Sequence, residues 1–438
     1  MKFTDLLGPE AAAAFASMLG TLPAYVHVGE RAAWELAESL GRECVGRHVV
    51  VLFDTRTRAA AGETCLRALH DAGWHATERL VADRPGGQSP ICDDTTKDGL
   101  QRELPTVDAM VAVGSGVVND LTKWLAAEAG VPYAVYATAT SMNGYSAANV
   151  APTIQGVKTL FRARAPRVIA ADPRVLESAP HESTSAGLGD LIAKPVSTAD
   201  WRINHMLFGE SYSHEIAALI DRVEPMYLSD PASVARHEPS AIRALFEALV
   251  LSGSAMTLQG SSLPASGGEH LISHTLDMAG ELDGVGHDLH GRQVGVATIF
   301  AAALYEKLLE RDDWKFEVPA VEFEPEVWGA SAPVVEIEFR KKRSAMARAC
   351  GRLAEPGVWT AIRDAIEPTM RSPHRIKQCL AEANAAHRVQ DIGCSRDRFL
   401  GAVRSCAWMR GRFTSIDLAL CAGVLPDAAE EIVDRFLM

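Results

Sequence analysis

The chain has 438 residues, too many for one hydrophobic core, so at least two domains are expected. With 47% hydrophobic and 23% charged residues it is not a disordered chain. A formal net charge of −13 and the lack of any basic run exclude a phosphate-backbone track, so no nucleic-acid partner is expected.

The opening "MKFTDLLGPEAAAAFASML" has none of the three parts of a secretory signal. No uncharged apolar run reaches the ~18 residues of a membrane span, so no membrane insertion is expected. "RHVVVLFD" (47–54), "VDAMVAVGSG" (107–116), "VPYAVYATA" (131–139) and "RVIAADP" (167–173) read as buried parallel strands. The intervening "AGETCLRALHDAG" and "VVNDLTKWLAAEAG" carry helical spacing. This rhythm predicts an α/β N-terminal domain with a doubly wound, mostly parallel sheet over residues 1–178. From about residue 180 the apolar spacing is helical throughout, which predicts an all-α domain over 179–438. The segment 313–340 is acidic and β-rich and reads as an insertion, a hairpin or surface loop. The eight cysteines are scattered with no C-x-x-C pair, which argues against a thiolate zinc site and a disulfide framework and points to a reduced cytoplasmic compartment.

Three stretches can carry chemistry. In "VAVGSGVVND", a strand, a G-x-G turn and a helix bring bare backbone N–H groups and a positive dipole end to one point, suited to a pyrophosphate. Asp54, ending an earlier strand, is placed either to hydrogen-bond a ribose hydroxyl or to cap the next helix. Arg56 beside it leaves NAD and NADP equally open. In "STSAGLGDLIAKPVSTADW", Asp190 reads as opening a helix behind two glycines, either capping it or facing a cleft. In "ASGGEHLISH", His270 and His274 share one helical face, and His287 and His290 follow in "HDLHGRQVGV". Two helix-borne imidazoles and one carboxylate make an N₂O site with an open position, as a catalytic divalent metal requires.

These pieces, with "GSGVVNDLTK", "ATATSMNGYSAANVAP", "GVKTLFRARAPRVIAADP" and "MRGRFTSIDLALCAGVL", resemble the sn-glycerol-1-phosphate dehydrogenase branch of a superfamily. That superfamily also holds glycerol dehydrogenase, iron-containing alcohol dehydrogenases and dehydroquinate synthase. The resemblance implies a dehydroquinate synthase-like fold, NAD or NADP as cofactor, and one divalent metal ion, with zinc, nickel and iron all compatible. It assigns the metal to Asp190, His270 and His290, with His274 beside them. It puts Gly114, Ser115 and Gly116 on the pyrophosphate, with Asp120, Lys123, Thr138 and Ser141 around the cofactor. Lys158 would lie on the substrate side. The implied substrate is a small phosphorylated three-carbon ketone, and the implied assembly is a homo-oligomer. Metal from one domain and cofactor from the other would meet at an interdomain cleft, with His274 and His287 as relay candidates. Lys158, Arg162, Arg410 and Arg412 are the cations available for a phosphate.

The sequence departs from the family pattern at Asn143, where "SMNGY" replaces an aspartate expected to face the substrate. Asparagine keeps hydrogen bonding but cannot take a proton. Ala137 stands where proline is common before Thr138, and Ser115 replaces a middle glycine. Glycerol or another alcohol as substrate, a dehydroquinate synthase-like cyclisation, and a non-catalytic metal- and nucleotide-binding role remain as alternatives.

Overall fold

The computed structural model describes residues 1–438. Five strands, β1 (Tyr25–Val28), β2 (His48–Phe53), β3 (His75–Leu80), β4 (Ala109–Gly114) and β5 (Tyr133–Ala137), are followed by four two-residue strands. These are β6 (Asn149–Val150), β7 (Thr153–Ile154), β8 (Val157–Lys158) and β9 (Phe161–Arg162), which pair as β6 with β9 and β7 with β8. Then comes β10 (Val168–Ala171), which rejoins the main sheet. That sheet has six strands in the order β1-β10-β5-β4-β2-β3, and every neighbouring pair is parallel. The central strands β4, β5 and β10 are buried along their whole length because helices cover both faces. One face packs Val49, Val51 and Val111 against Leu36 and Leu40 of α1 (Ala32–Glu43) and Leu69 of α2 (Glu63–Asp71).

The strand order reverses between β2 and β4. The chain leaves β2 outward to β3, then returns to place β4 on the other side of β2, with Leu52 opposite Ala112. Open α/β sheets bind ligands outside the carboxyl ends of strands at such a reversal. Asp54 ends β2 there, and β4 runs into Gly114, Ser115 and α3 (Gly116–Ala129).

Residues 1–187 and 218–261 form one compact unit, and residues 188–217 and 262–438 form the other. The division is interleaved, where the sequence suggested a single cut near 178. The first unit includes α6 (Pro239–Gln259), an apolar helix long enough to cross a membrane. It is 78% buried inside the protein, so its apolar surface serves the core. All eight cysteines are free thiols.

The second unit is helical. It contains α5 (Lys194–Phe208), α7 (Gly268–Asp283), α8 (His290–Leu309), α9 (Ala332–Leu353) and α10 (Ser415–Cys421). Of the two readings of 313–340, a hairpin or a surface loop, no hairpin forms, and the first part of the segment is loop. After an irregular stretch and two short 3-10 turns, the chain enters α9 at Ala332, with Pro333 in its first turn. Val335, Phe339, Lys342, Met346, Ala349 and Leu353 form one buried helical stripe, and Glu336–Arg340 supports the opposite side. The β-branched pair Val334–Val335 suggested a strand, but the three- and four-residue spacing prevails.

Asp190 also lies elsewhere than expected. It is in the last turn of α4 (His181–Ile192), so it does not cap a helix start. The preceding glycines serve helix contact instead of breaking a helix. A β-carbon on Gly189 would overlap the Gly291 carbonyl, and one on Gly295 would lie 3.1 Å from the Gly189 α-carbon. This close crossing sets Asp190 beside the first turn of α8, which begins at His290. Gly189→Ala should force the helices apart, lowering stability by about 2–4 kcal/mol in urea denaturation. It should also reduce the metal retained on purification, measured by elemental analysis.

Candidate functional site

The N-terminus of α7 is set by buried charge. Asp200, on α5, accepts the Gly268 N–H at 2.7 Å with one carboxylate oxygen and the Ser415 N–H at 2.7 Å with the other. One acid therefore caps the starts of both α7 and α10, and the Tyr305 hydroxyl donates to it as well. Glu269 Oε1 accepts the Gly267 N–H at 2.8 Å and faces His270 Nδ1 at 2.7 Å. Gly267 is required here because a β-carbon would strike the Asp200 and Glu269 carboxyl groups.

Helix α7 then presents Glu269, His270, Ser273, His274 and Asp277, all buried, at three- and four-residue spacings. His270 Nε2 lies 3.8 Å from Asp190 Oδ1, and the His270 ring is 5.2 Å from the His290 ring. His274 stacks on His290 at 4.9 Å, and donor atoms of His274, Asp277 and His290 all lie within 4.8 Å of one another. Lys194 reaches Asp190 Oδ1 at 3.3 Å and the Ala265 carbonyl at 3.3 Å.

The donor set fits a divalent ion. Two ligand atoms of a tetrahedral zinc stand about 3.4 Å apart, close to the Asp190–His270 separation. Imidazole plus carboxylate is also the chemistry that zinc, iron and nickel share. The hydrogen bonds prepare the rings. Ser273 donates to Gln293 Oε1 at 2.8 Å, so its oxygen accepts from His290 Nδ1 at 3.0 Å, leaving the lone pair on Nε2. Glu269 does the same for His270. Burial is the main cause that drives the His270 pKa down to about 3, which keeps the ring neutral, as a ligand must be.

The structure thus brings Asp190, His270, His274 and His290 into one buried neighbourhood. His287 lies exposed on the loop before α8, with Nδ1 3.1 Å from Asp277 Oδ1. Asp277, Glu269, Ser273 and Gln293 were missed in the sequence. The signal was present as a polar stripe at helical spacing inside an apolar helix.

In the other unit, the glycine turn has the expected form. Gly114 ends β4 with no room for a side chain, its β-carbon position being 2.8 Å from Val118 Cβ. Space above Gly116 is open, and the first turn of α3 carries no acid, so its N–H groups and dipole suit an anion. Asp54 accepts the Thr57 N–H at 2.8 Å, capping the turn that follows β2, and Arg56 pairs with Asp83 at 2.5 Å.

Asp120 and Lys123 are committed to the protein. Lys123 is buried and donates to the Gly144 and Asn149 carbonyls, each at 2.9 Å, and pairs with Asp120 at 3.3 Å. Together they tie α3 to the turn containing Asn143, which is itself buried. A β-carbon on Gly253 of α6 would overlap the Asn143 carbonyl, so the turn is clamped from that side too. Thr138 is buried just after β5, Ser141 is half-buried, and Lys158 lies half-buried on β8.

The model of the family "Iron-containing alcohol dehydrogenase" matches residues 27–180. The NAD(P)+ glycerol-1-phosphate dehydrogenase of Bacillus subtilis is 32% identical over 295 residues, covering 67% of this chain and 75% of that protein. The enzyme of the same name from Pyrococcus furiosus is 32% identical over 283 residues, covering 65% of this chain and 79% of that one. A probable glycerol dehydrogenase from Sinorhizobium meliloti superposes with a TM-score of 0.60 at 16% identity, covering 93% of this chain and 97% of that chain. Butanol dehydrogenase A of Thermotoga maritima does so with a TM-score of 0.56 at 15% identity, over 95% and 98% of the two chains. The chain belongs to the iron-containing alcohol dehydrogenase and glycerol dehydrogenase superfamily of oxidoreductases. Within it, glycerol-1-phosphate dehydrogenases stand among its curated relatives at about one-third identity.

The buried acids have a measurable consequence. Burial first, and the Glu269 charge second, push the Asp200 pKa up to about 7, and burial raises Glu269 to about 7 as well. Both values lie above those of the unfolded chain, so the stability these acids contribute is full at low pH and lost as pH rises through 7. His270 acts in the opposite sense, losing stability as pH falls below its unfolded value of 6.5. Between about pH 4.5 and 6.5 two acid protons are gained on folding against one imidazolium proton lost, so these three groups make net stability fall as pH rises. In metal-free protein, Asp200→Asn should flatten this decline, measured by urea unfolding at about pH 5 and about pH 8.

Proposed function

We propose that this protein is a metal-dependent dehydrogenase that interconverts dihydroxyacetone phosphate and sn-glycerol 1-phosphate with NAD(P)H. The reading is carried by the convergence of buried Asp190 and His270 with half-buried His290, and it is supported by the activity that names the glycerol-1-phosphate dehydrogenases to which the chain is similar. Asp190, His270 and His290 would hold the ion, with His274 and Asp277 as neighbouring donors. A bound divalent ion would polarise the ketone and stabilise the developing alkoxide, while reduced nicotinamide would supply the hydride.

The chain's own residues do the rest. Glu269 and Ser273 fix the tautomers of His270 and His290, so each presents an Nε2 lone pair without reorganisation. The backbone N–H groups opening α3 bind the pyrophosphate of the dinucleotide. Asp120 and Lys123 act by holding the Asn143 turn in place, and Asn143 can orient a substrate hydroxyl but cannot accept its proton. His287, Asp277 and His274 line a path from an exposed ring to a buried one. The 3.1 Å step from His287 to Asp277 is short, while the 3.9 Å step from Asp277 to His274 exceeds a hydrogen bond and would need a bridging water to carry a proton.

Purified protein should contain one divalent ion per chain and should oxidise NAD(P)H with dihydroxyacetone phosphate, followed by loss of nicotinamide absorbance. Chelation should abolish turnover, and a divalent ion should restore it. Asp190→Ala and His290→Ala should each lower kcat/KM by at least about 10³-fold together with the metal content. An enzyme that reduces only unphosphorylated ketones would make a polyol the substrate, and silence across both classes would sink the dehydrogenase reading.

A further inference from the structure

The segment Met409–Thr414, which follows the 3-10 turn Cys406–Trp408, runs alongside the histidine helix and is pinned at nearly every residue. The Thr275 hydroxyl donates to Met409 Sδ at 3.2 Å. The Gly411 N–H donates to Glu338 Oε2 at 2.8 Å. Arg412 donates to the Ser266 carbonyl at 2.9 Å and to Ser262 Oγ at 3.3 Å, while its own carbonyl accepts from Lys342. The Phe413 carbonyl accepts from Asn204 at 2.7 Å, and the Thr414 N–H donates to Asp417 at 2.7 Å. Lys342 and Asp417 form a fully buried pair at 2.6 Å beneath the segment.

Arg410 stands apart. It is half-buried, yet its guanidinium makes no hydrogen bond or ion pair with the protein. The carboxylate whose charge it feels, Glu338, is already engaged by Lys341 at 2.6 Å and by the Gly411 N–H. Its neighbours bracket its position. Met409 touches α7 at Thr275, one residue past His274, and Arg412 touches the chain at Ser266, four residues before His270. Arg410 therefore lies along the same stretch of α7 as the two histidines, and its charge registers at His270. Arg412 and Lys194 add positive potential at the same ring, but their own donors are largely occupied within the protein.

A rigid loop that leaves one fork-shaped cation unpartnered beside a candidate ion site is arranged for an oxyanion. We propose that Arg410 is the anchor for the anionic group of the substrate, a phosphate monoester, and is the residue that makes this protein select phosphorylated over neutral ketones. The assignment rests on the dehydrogenase reading for the substrate's chemistry but not for the existence of the anion seat. It sets Arg412 aside as structural, since removing that side chain would free Ser266 and the entry to α7.

Inorganic phosphate, titrated calorimetrically into the metal-loaded protein, tests the seat without turnover. Wild type should bind it, and Arg410→Met should weaken binding by about 30-fold or more while circular dichroism and metal content stay unchanged. Arg410→Lys should recover part of the loss. In turnover, Arg410→Met should raise KM for dihydroxyacetone phosphate by a similar factor and leave kcat/KM for dihydroxyacetone within about threefold. Equal phosphate binding by wild type and Arg410→Met, no binding by wild type, or equal loss on both ketones would overturn the assignment. Phosphate bound through Arg410 in a protein that turns over no phosphorylated ketone would instead defeat the dehydrogenase reading and leave the anion seat standing.

Discussion

The helical unit depends on one buried carboxylate at which two helix starts meet. Asp200 receives the Gly268 N–H at the start of α7 and the Ser415 N–H at the start of α10. Each helix N-terminus presents partial positive charge and unsatisfied donors, and this one acid takes a donor from each and ties the two ends together. Much of the chemistry in this unit hangs from those two helices. α7 carries His270 and His274, and α10 ends the pinned segment that contains Arg410 and Arg412.

Burying so many polar groups beside one another is costly, and the arrangement shows how the cost is offset. Isolated, each imidazole or carboxylate would lose several kcal/mol of hydration. Here the candidate ligands are held by neighbours: Glu269 for His270, Ser273 and Gln293 for His290, Lys194 for Asp190. Burial biases these groups towards neutrality, raising the pKa of Asp200 and Glu269 and lowering that of His270. A neutral imidazole held in one tautomer is a ready ligand, so the same desolvation that threatens stability prepares the site for an ion.

The sheet-bearing unit solves a different problem with fewer charges. Its sheet places two strand ends, those of β2 and β4, at the reversal of strand order, and the glycine turn leaves open space above the start of α3. Lys123 is a strut, its ammonium committed to two carbonyls and Asp120. A motif residue that looks like a ligand in the sequence can thus act by holding a neighbouring turn in place.

The central strands and the histidine helix were legible because their signals are local. Continuous apolar runs mark β2, β4, β5 and β10, and the i, i+4 spacing of His270 and His274 puts both on one face wherever the helix goes. The edge strands β1 and β3 were not, since β1 is only four residues long and "HATERL" alternates polar side chains half in solvent. The placement of Asp190 was equally hidden. Its glycines look like helix breakers in sequence, and only the carbonyls of another helix, 102 residues away at Gly291, reveal them as a close-packing surface. Which residue types could hold an ion was written in the chain itself. Which of them meet, which cations are used up within the protein, and that Arg410 is left unpartnered beside the histidine helix were decided by packing, because those contacts join segments eighty or more residues apart.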